Sequence, residues 1–258
     1  MKTKRRVRRP LNKSYIPNII TLMNMFLGFT AIIMLLKGDP IRAAWIILFA
    51  MGFDAIDGKT ARMLGISNRF GTEFDSLADT VSFCVVPSLM VYTLYVKGLP
   101  PLVGALISFV PLMFGSIRLA RFNLLHGSPK KFYTGLTTPL STVMIVSFVM
   151  FNHQVSGNYG DPRIAIALVF AVSYLMISPV RFAQFPTFSL RHGRANNLRL
   201  VGVVVLTVSI ILWQGLVIFP LFTVYISWSI LNWLMDHKRF EDKLEIDPSD
   251  DSTILPIE

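Results

Sequence analysis

The chain has 258 residues, 53% of them hydrophobic and 16% charged, with mean hydropathy +0.55 and a formal net charge of +10. A soluble domain carries about a quarter charged residues, so this balance excludes an ordinary soluble protein. Basic loops lying against anionic lipid headgroups account for the positive excess in so apolar a chain, and no nucleic-acid partner is expected.

A basic stretch over 1–13 leads into an uncharged run from Ser14 to Leu36. That run is long enough to cross a bilayer core, which takes about 20 residues, and too long for the apolar part of a signal peptide. It predicts a permanent helix over 15–36. Further helices are expected over 41–66, 72–96, 99–120, 134–152 and 163–182. The uncharged run from Leu200 to Met235 exceeds one crossing, and Gly215 and Pro220 divide it into helices over 197–214 and 217–236. The expected fold is therefore an all-α integral membrane protein of about eight transmembrane helices, the open structure a bilayer core tolerates. Its parts are a basic tail over 1–13, a single transmembrane domain over 14–237, and a solvated, poorly ordered tail over 238–258.

An even number of crossings puts both termini on one side. That side receives 21 of the 25 Lys and Arg residues, so it is expected to be cytoplasmic. The lone cysteine, Cys84, lies in an apolar run and reads as a packing residue. His126, His153, His192 and His237 are scattered, with no acid at catalytic spacing.

One stretch breaks the apolar pattern. Between Phe53 and Thr80 stand Asp54, Asp57, Asp75 and Asp79. Asp54 and Asp57 share a helix face at i, i+3, with Gly58 and Ala61 beside it; Asp75 and Asp79 share a face at i, i+4, with Gly71 one turn earlier. A short connection between antiparallel helices can bring the two faces together near the cytoplasmic surface. Carboxylates that close repel one another unless cations lie between them. Two divalent ions resolve the repulsion, and oxygen ligands favour Mg²⁺, Mn²⁺ or Ca²⁺ over zinc. Gly58, Ala61 and Gly71 leave room for a bulky group at the helix backbone, and Arg62 offers donors suited to phosphate. Together these features describe a diphosphate site in which paired metals assist displacement at phosphorus. The rival reading is a multi-span cation transporter. It would call for a site near the bilayer midplane and two related halves, and the carboxyl half has no second aspartate set.

Written out, the stretch is Asp54-x₂-Asp57-Gly58-x₂-Ala61-Arg62-x₈-Gly71-x₃-Asp75-x₃-Asp79. It resembles the CDP-alcohol phosphatidyltransferase family at every fixed position. The resemblance implies the fold of that family and a membrane enzyme that transfers a phosphatidyl group from a CDP-linked lipid to an alcohol, releasing CMP. It implies further that Asp54, Asp57, Asp75 and Asp79 ligate two ions of Mg²⁺ or Mn²⁺, and that Asp79 is also the general base. Gly58 and Arg62 would hold the diphosphate, beside the small residues Ala61 and Gly71, with Asn68 by the nucleotide. The segment Pro17 to Thr21 is similar to the family's first-helix motif and adds Asn18 and Thr21 as contacts to the CDP-lipid. The same likeness implies a homodimer among membrane lipids.

Three further stretches, "RLARFN" from Arg118, "FYTGLTTP" from Phe132 and "SPVRFAQFPTF" from Ser178, look like the phosphatidylserine synthase branch, the small multi-span type of prokaryotic inner membranes. Thr137 stands where that branch usually has proline, and Tyr133 where it often has phenylalanine. The expected acceptor is L-serine, with CDP-diacylglycerol as donor. Arg118 and Arg121 would meet the serine carboxylate, and Asn123 its amino or hydroxyl group. Glycerol 3-phosphate and an inositol phosphate are the alternative acceptors for the same chemistry.

Overall fold

The computed structural model describes residues 15–64, 69–124, 133–182 and 215–246. Helix α1 spans Tyr15–Leu36 and α2 spans Pro40–Leu64. A continuous rod follows: α3 (Arg69–Asp79), a π-helical stretch (Thr80–Val85), α4 (Val86–Val91) and a second π-helical stretch (Tyr92–Val96). Then come α5 (Pro101–Leu124), a two-residue strand β1 (Tyr133–Thr134), α6 (Thr138–Ser156), α7 (Pro162–Ile177), β2 (Arg181–Phe182) and α8 (Ile218–Ile246). The expected helix over 197–214 lies outside the described residues.

Element ends follow local chemistry. Asp39 and Asp161 each precede a proline, and each accepts a hydrogen bond from the backbone N–H three or two residues on, at Arg42 (3.0 Å) and Arg163 (2.7 Å). An acidic cap followed by a proline in the first turn is a strong helix start. The helix expected over 163–182 stops instead at Ile177. Ser178 precedes Pro179, and its backbone is extended (φ −69°, ψ 157°), because the proline ring disfavours the helical region for its predecessor. Released from the helix, Arg181–Phe182 pairs antiparallel with Tyr133–Thr134. The helix expected from 134 accordingly begins at Thr138. At the far end, a turn over 215–217 opens α8, and Pro220 sits within its first turn, where no N–H is needed. α8 continues through Ile246, beyond the expected end at 236.

Among the described residues, four helical segments are long and apolar enough to cross a membrane: Pro17–Leu36, Phe70–Val96, Pro101–Leu124 and Ile218–Met235. Their outer faces confirm the surroundings, since Phe26, Phe29, Leu102, Leu106, Val224 and Trp228 are all exposed. In water such a surface would aggregate. The protein is a multi-pass membrane protein. Its interior is built on α6, whose residues from Leu140 to Met150 are all buried. α1 and α2 close on one another through Ala31, Ala43, Ala44 and Ala50, all fully buried. Small side chains allow the close helix approach that dispersion needs where no hydrophobic force acts between helices.

Two prolines inside the bundle are matched from neighbouring helices. Pro87 has no N–H for the carbonyl of Phe83, one turn back, and the hydroxyl of Thr142 on α6 donates to that carbonyl instead (2.7 Å). Pro111 breaks the ladder within α5, and the N–H of Leu112 turns to Ser88 Oγ (3.0 Å). Two of the close helix approaches rest on glycine. A Cβ at Gly28 would run into Ser82, and one at Gly115 would lie 2.5 Å from Cys84 Sγ. Cys84 is buried as a packing residue between these helices.

Candidate active site

The acids sit at the end of the bundle where α1 begins, α2 ends and α3 begins. Asp54 and Asp57 come from the second half of α2, Asp75 and Asp79 from α3. At about 1.5 Å of rise per residue, Asp75 lies about 8 Å and Asp79 about 14 Å along the rod from Phe70. The acids are thus inside the bundle: Asp75 lies nearer the end of the span Phe70–Val96, and Asp79 nearer its middle.

Asp54, Asp75 and Asp79 each bring a carboxylate oxygen to within 4.8 Å of the other two. Among the described residues, no Cys or His shares the cluster. An all-oxygen set of this size fits a hard divalent cation, and Mg²⁺ or Mn²⁺ could be held by these three side chains. Asp57 stands apart. It is buried, and its Oδ2 accepts a hydrogen bond from the hydroxyl of Thr21 on α1. It remains within electrostatic range of Asp54 and Asp75.

The remaining expected residues fall in different places. Thr21 is buried against the acids, while Asn18, one turn earlier on α1, is half-buried. Gly58 and Gly71 are half-buried next to the acid-bearing turns. Ala61 and Arg62 lie on α2, but their side chains are outside the described residues, as is Asn68. Arg118 on α5 lies within electrostatic range of Asp79. Arg121 is exposed. Asn123 turns to another side of α3: its amide donates to Ser76 Oγ (3.0 Å) and Glu73 Oε2 (3.3 Å). These three residues, with Thr80 and Ser116, line a groove of about 280 Å³ between α3 and α5. The structure therefore sets Arg118 within electrostatic range of the acids and brings Asn123 to the groove.

Two residues escaped the sequence reading. Asn24 on α1 is fully buried, and its Nδ2 lies 3.4 Å from Asp79 Oδ1. Ser82, in the π-helical stretch just after Asp79, donates to the backbone carbonyl of Asn24 (3.0 Å). A signal for Asn24 did exist. It is an amide within an apolar run, one turn from Thr21, and a polar side chain inside a membrane span is a functional candidate by default.

A multi-pass helical bundle with clustered, sheltered carboxylates suits a membrane enzyme that acts on phosphate esters with the help of a divalent cation. A model of the CDP-alcohol phosphatidyltransferase family matches residues 14–188, and the chain belongs to that family. It is 30% identical over 231 residues to a CDP-diacylglycerol–serine O-phosphatidyltransferase of Helicobacter pylori, covering 87% of this chain and 94% of the relative. The enzyme of the same name from Bacillus subtilis is 32% identical over 186 residues, 71% of this chain and 99% of its own length. An archaetidylserine synthase of Methanothermobacter thermautotrophicus is 35% identical over 173 residues, 66% of this chain and 70% of the relative.

Proposed function

We propose that the chain transfers the phosphatidyl group of CDP-diacylglycerol to the hydroxyl of L-serine, giving phosphatidylserine and CMP. The observation that carries this reading is the convergence of Asp54, Asp75 and Asp79 oxygens within 4.8 Å. The names of the relatives from bacteria and an archaeon support serine as the acceptor. The position of Arg118 beside Asp79 supports it as well, since a guanidinium there suits the carboxylate of an amino acid.

In the reaction the serine oxygen bonds to the phosphorus of the phosphatidyl group. The bond from that phosphorus to the CMP oxygen breaks, and the serine proton passes to Asp79. Divalent cations, two of Mg²⁺ or Mn²⁺ held by Asp54, Asp57, Asp75 and Asp79, would neutralise charge on the diphosphate as CMP departs. Asp79, sheltered from bulk water, is the base that takes the proton, because a serine hydroxyl is a poor nucleophile near neutral pH. Thr21 fixes Asp57 at the nucleotide side of the site, with Asn18 one turn away on the same helix. Gly58, Ala61, Arg62, Asn68 and Gly71 hold the CDP-lipid. Arg118, Arg121 and Asn123 serve the acceptor, Arg118 most directly. Both termini are placed on the cytoplasmic side of a prokaryotic inner membrane, where serine and CMP are exchanged with the cytosol, and the enzyme works as a homodimer.

The test uses purified protein, CDP-diacylglycerol and a panel of alcohols, with Mg²⁺ and Mn²⁺ each supplied. CMP release is expected with L-serine. Release with glycerol 3-phosphate or an inositol phosphate but not with L-serine would overturn the choice of acceptor.

A further inference from the structure

We infer that Asn24 is a positioning residue for Asp79, setting the carboxylate at the angle its roles require. The inference deepens the proposed function and rests on Asp79 belonging to the reacting site. Asn24 is 0% exposed, and its Nδ2 reaches Asp79 Oδ1 at 3.4 Å. The amide can present only this end to an ionised carboxylate, since turned over it would set oxygen against oxygen. The backbone is pinned to the same place. Ser82, three residues beyond Asp79, donates to the Asn24 carbonyl oxygen, and Gly28, one turn along α1, lets the two helices close on Ser82. α1 thus carries Thr21 and Asn24 at i, i+3, one holding Asp57 and the other Asp79, from outside the two helices that bear the acids.

A second observation separates this asparagine from an ordinary core amide. Its Oδ1 is buried and has no hydrogen-bond partner among the described residues. An amide serving the fold alone would be matched at both ends or replaced by an apolar side chain, because an unmatched buried oxygen costs stability. The molecule tolerates that cost beside Asp79, where one end of the amide is committed to the carboxylate. The adjacent π-helical stretch has the same character: a wide turn inserted directly after the acid, at the point where Ser82 reaches α1.

The experiment compares wild type with Asn24→Leu, of similar size and without polar atoms, and with Asn24→Ser as a smaller second variant. Three quantities are read: steady-state constants for CMP release, CDP-diacylglycerol binding, and the Mn²⁺ concentration giving half of the cation-induced rise in Tm. A hydrogen bond to a charged group is worth about tenfold or more in an equilibrium. A variant that folds should therefore keep its cation-free Tm and its KM for the CDP-lipid within about twofold, while kcat falls by about tenfold and the Mn²⁺ midpoint rises several-fold. An unchanged kcat and Mn²⁺ midpoint in either folded variant overturns the inference. So does a loss of kcat matched by an equal loss of CDP-lipid binding, or failure of both variants to fold, since each describes a structural residue. If wild type itself releases no CMP, the proposed function fails, and the Mn²⁺ midpoints still decide the role of Asn24.

Discussion

Asp79 and Asp57 are held from α1, by Asn24 and Thr21, whereas Asp54 and Asp75, on the same two helices, converge with Asp79. This division gives the acids separable consequences. Asp79→Asn keeps size and polarity but removes the base, so CMP formation should fall by about 10²- to 10⁴-fold. CDP-diacylglycerol should still bind, read by equilibrium binding of the lipid nucleotide. Full turnover in that variant would remove Asp79 as the base. The pairing of acids with α1 also explains a limit of the sequence reading. Thr21 was legible through its motif, but Asn24 looked like one polar residue in an apolar helix, since its partner is 55 positions away.

At the scale of the element, two helix breaks and one tight crossing decide stability. Thr142→Val removes the hydroxyl that serves the Phe83 carbonyl left open by Pro87. A buried carbonyl without a partner costs about 1–3 kcal/mol, so thermal unfolding in detergent should shift down while the site keeps its metal dependence. Gly115→Ala would place a methyl 2.5 Å from Cys84 Sγ and should destabilise by about 1–3 kcal/mol. Adding Cys84→Ala removes the sulfur and should recover much of the loss, which a double-mutant cycle measures. Helix existence was readable from uncharged runs, and helix ends less so. The end of α7 at Ile177 was nonetheless written in Ser178-Pro179, a dipeptide the hydrophobic run overshadowed. The pairing of Tyr133–Thr134 with Arg181–Phe182 was not readable. It explains why the "FYTGLTTP" and "SPVRF" stretches belong together: Gly135 N–H bonds Val180 O (2.8 Å) and Leu136 N–H bonds Leu175 O (2.9 Å).

For the whole molecule, clustered carboxylates link cation binding to folding. Asp54, Asp75 and Asp79 oxygens lie within 4.8 Å of one another on helices joined at one end. Without a cation their mutual repulsion opposes that convergence. A chelator should therefore lower Tm, and Mg²⁺ or Mn²⁺ at about 100 times its Kd should raise stability by about 2.7 kcal/mol. Equal unfolding curves with and without cation would contradict that coupling.

By itself the sequence determined the membrane class, four of the spans and the faces that carry the acids. All of these follow from charge content and from spacing within a single helix, which the 3.6-residue turn converts directly into geometry. Only the tertiary structure decided that three acids converge while Asp57 turns to Thr21, and that Arg118 lies within electrostatic range of Asp79 while Asn123 joins Glu73 and Ser76. It alone showed Asn24 closing on Asp79. Those outcomes depend on how helices distant in sequence rotate and cross. Packing of glycines, alanines and matched prolines sets those angles, and no local pattern encodes them.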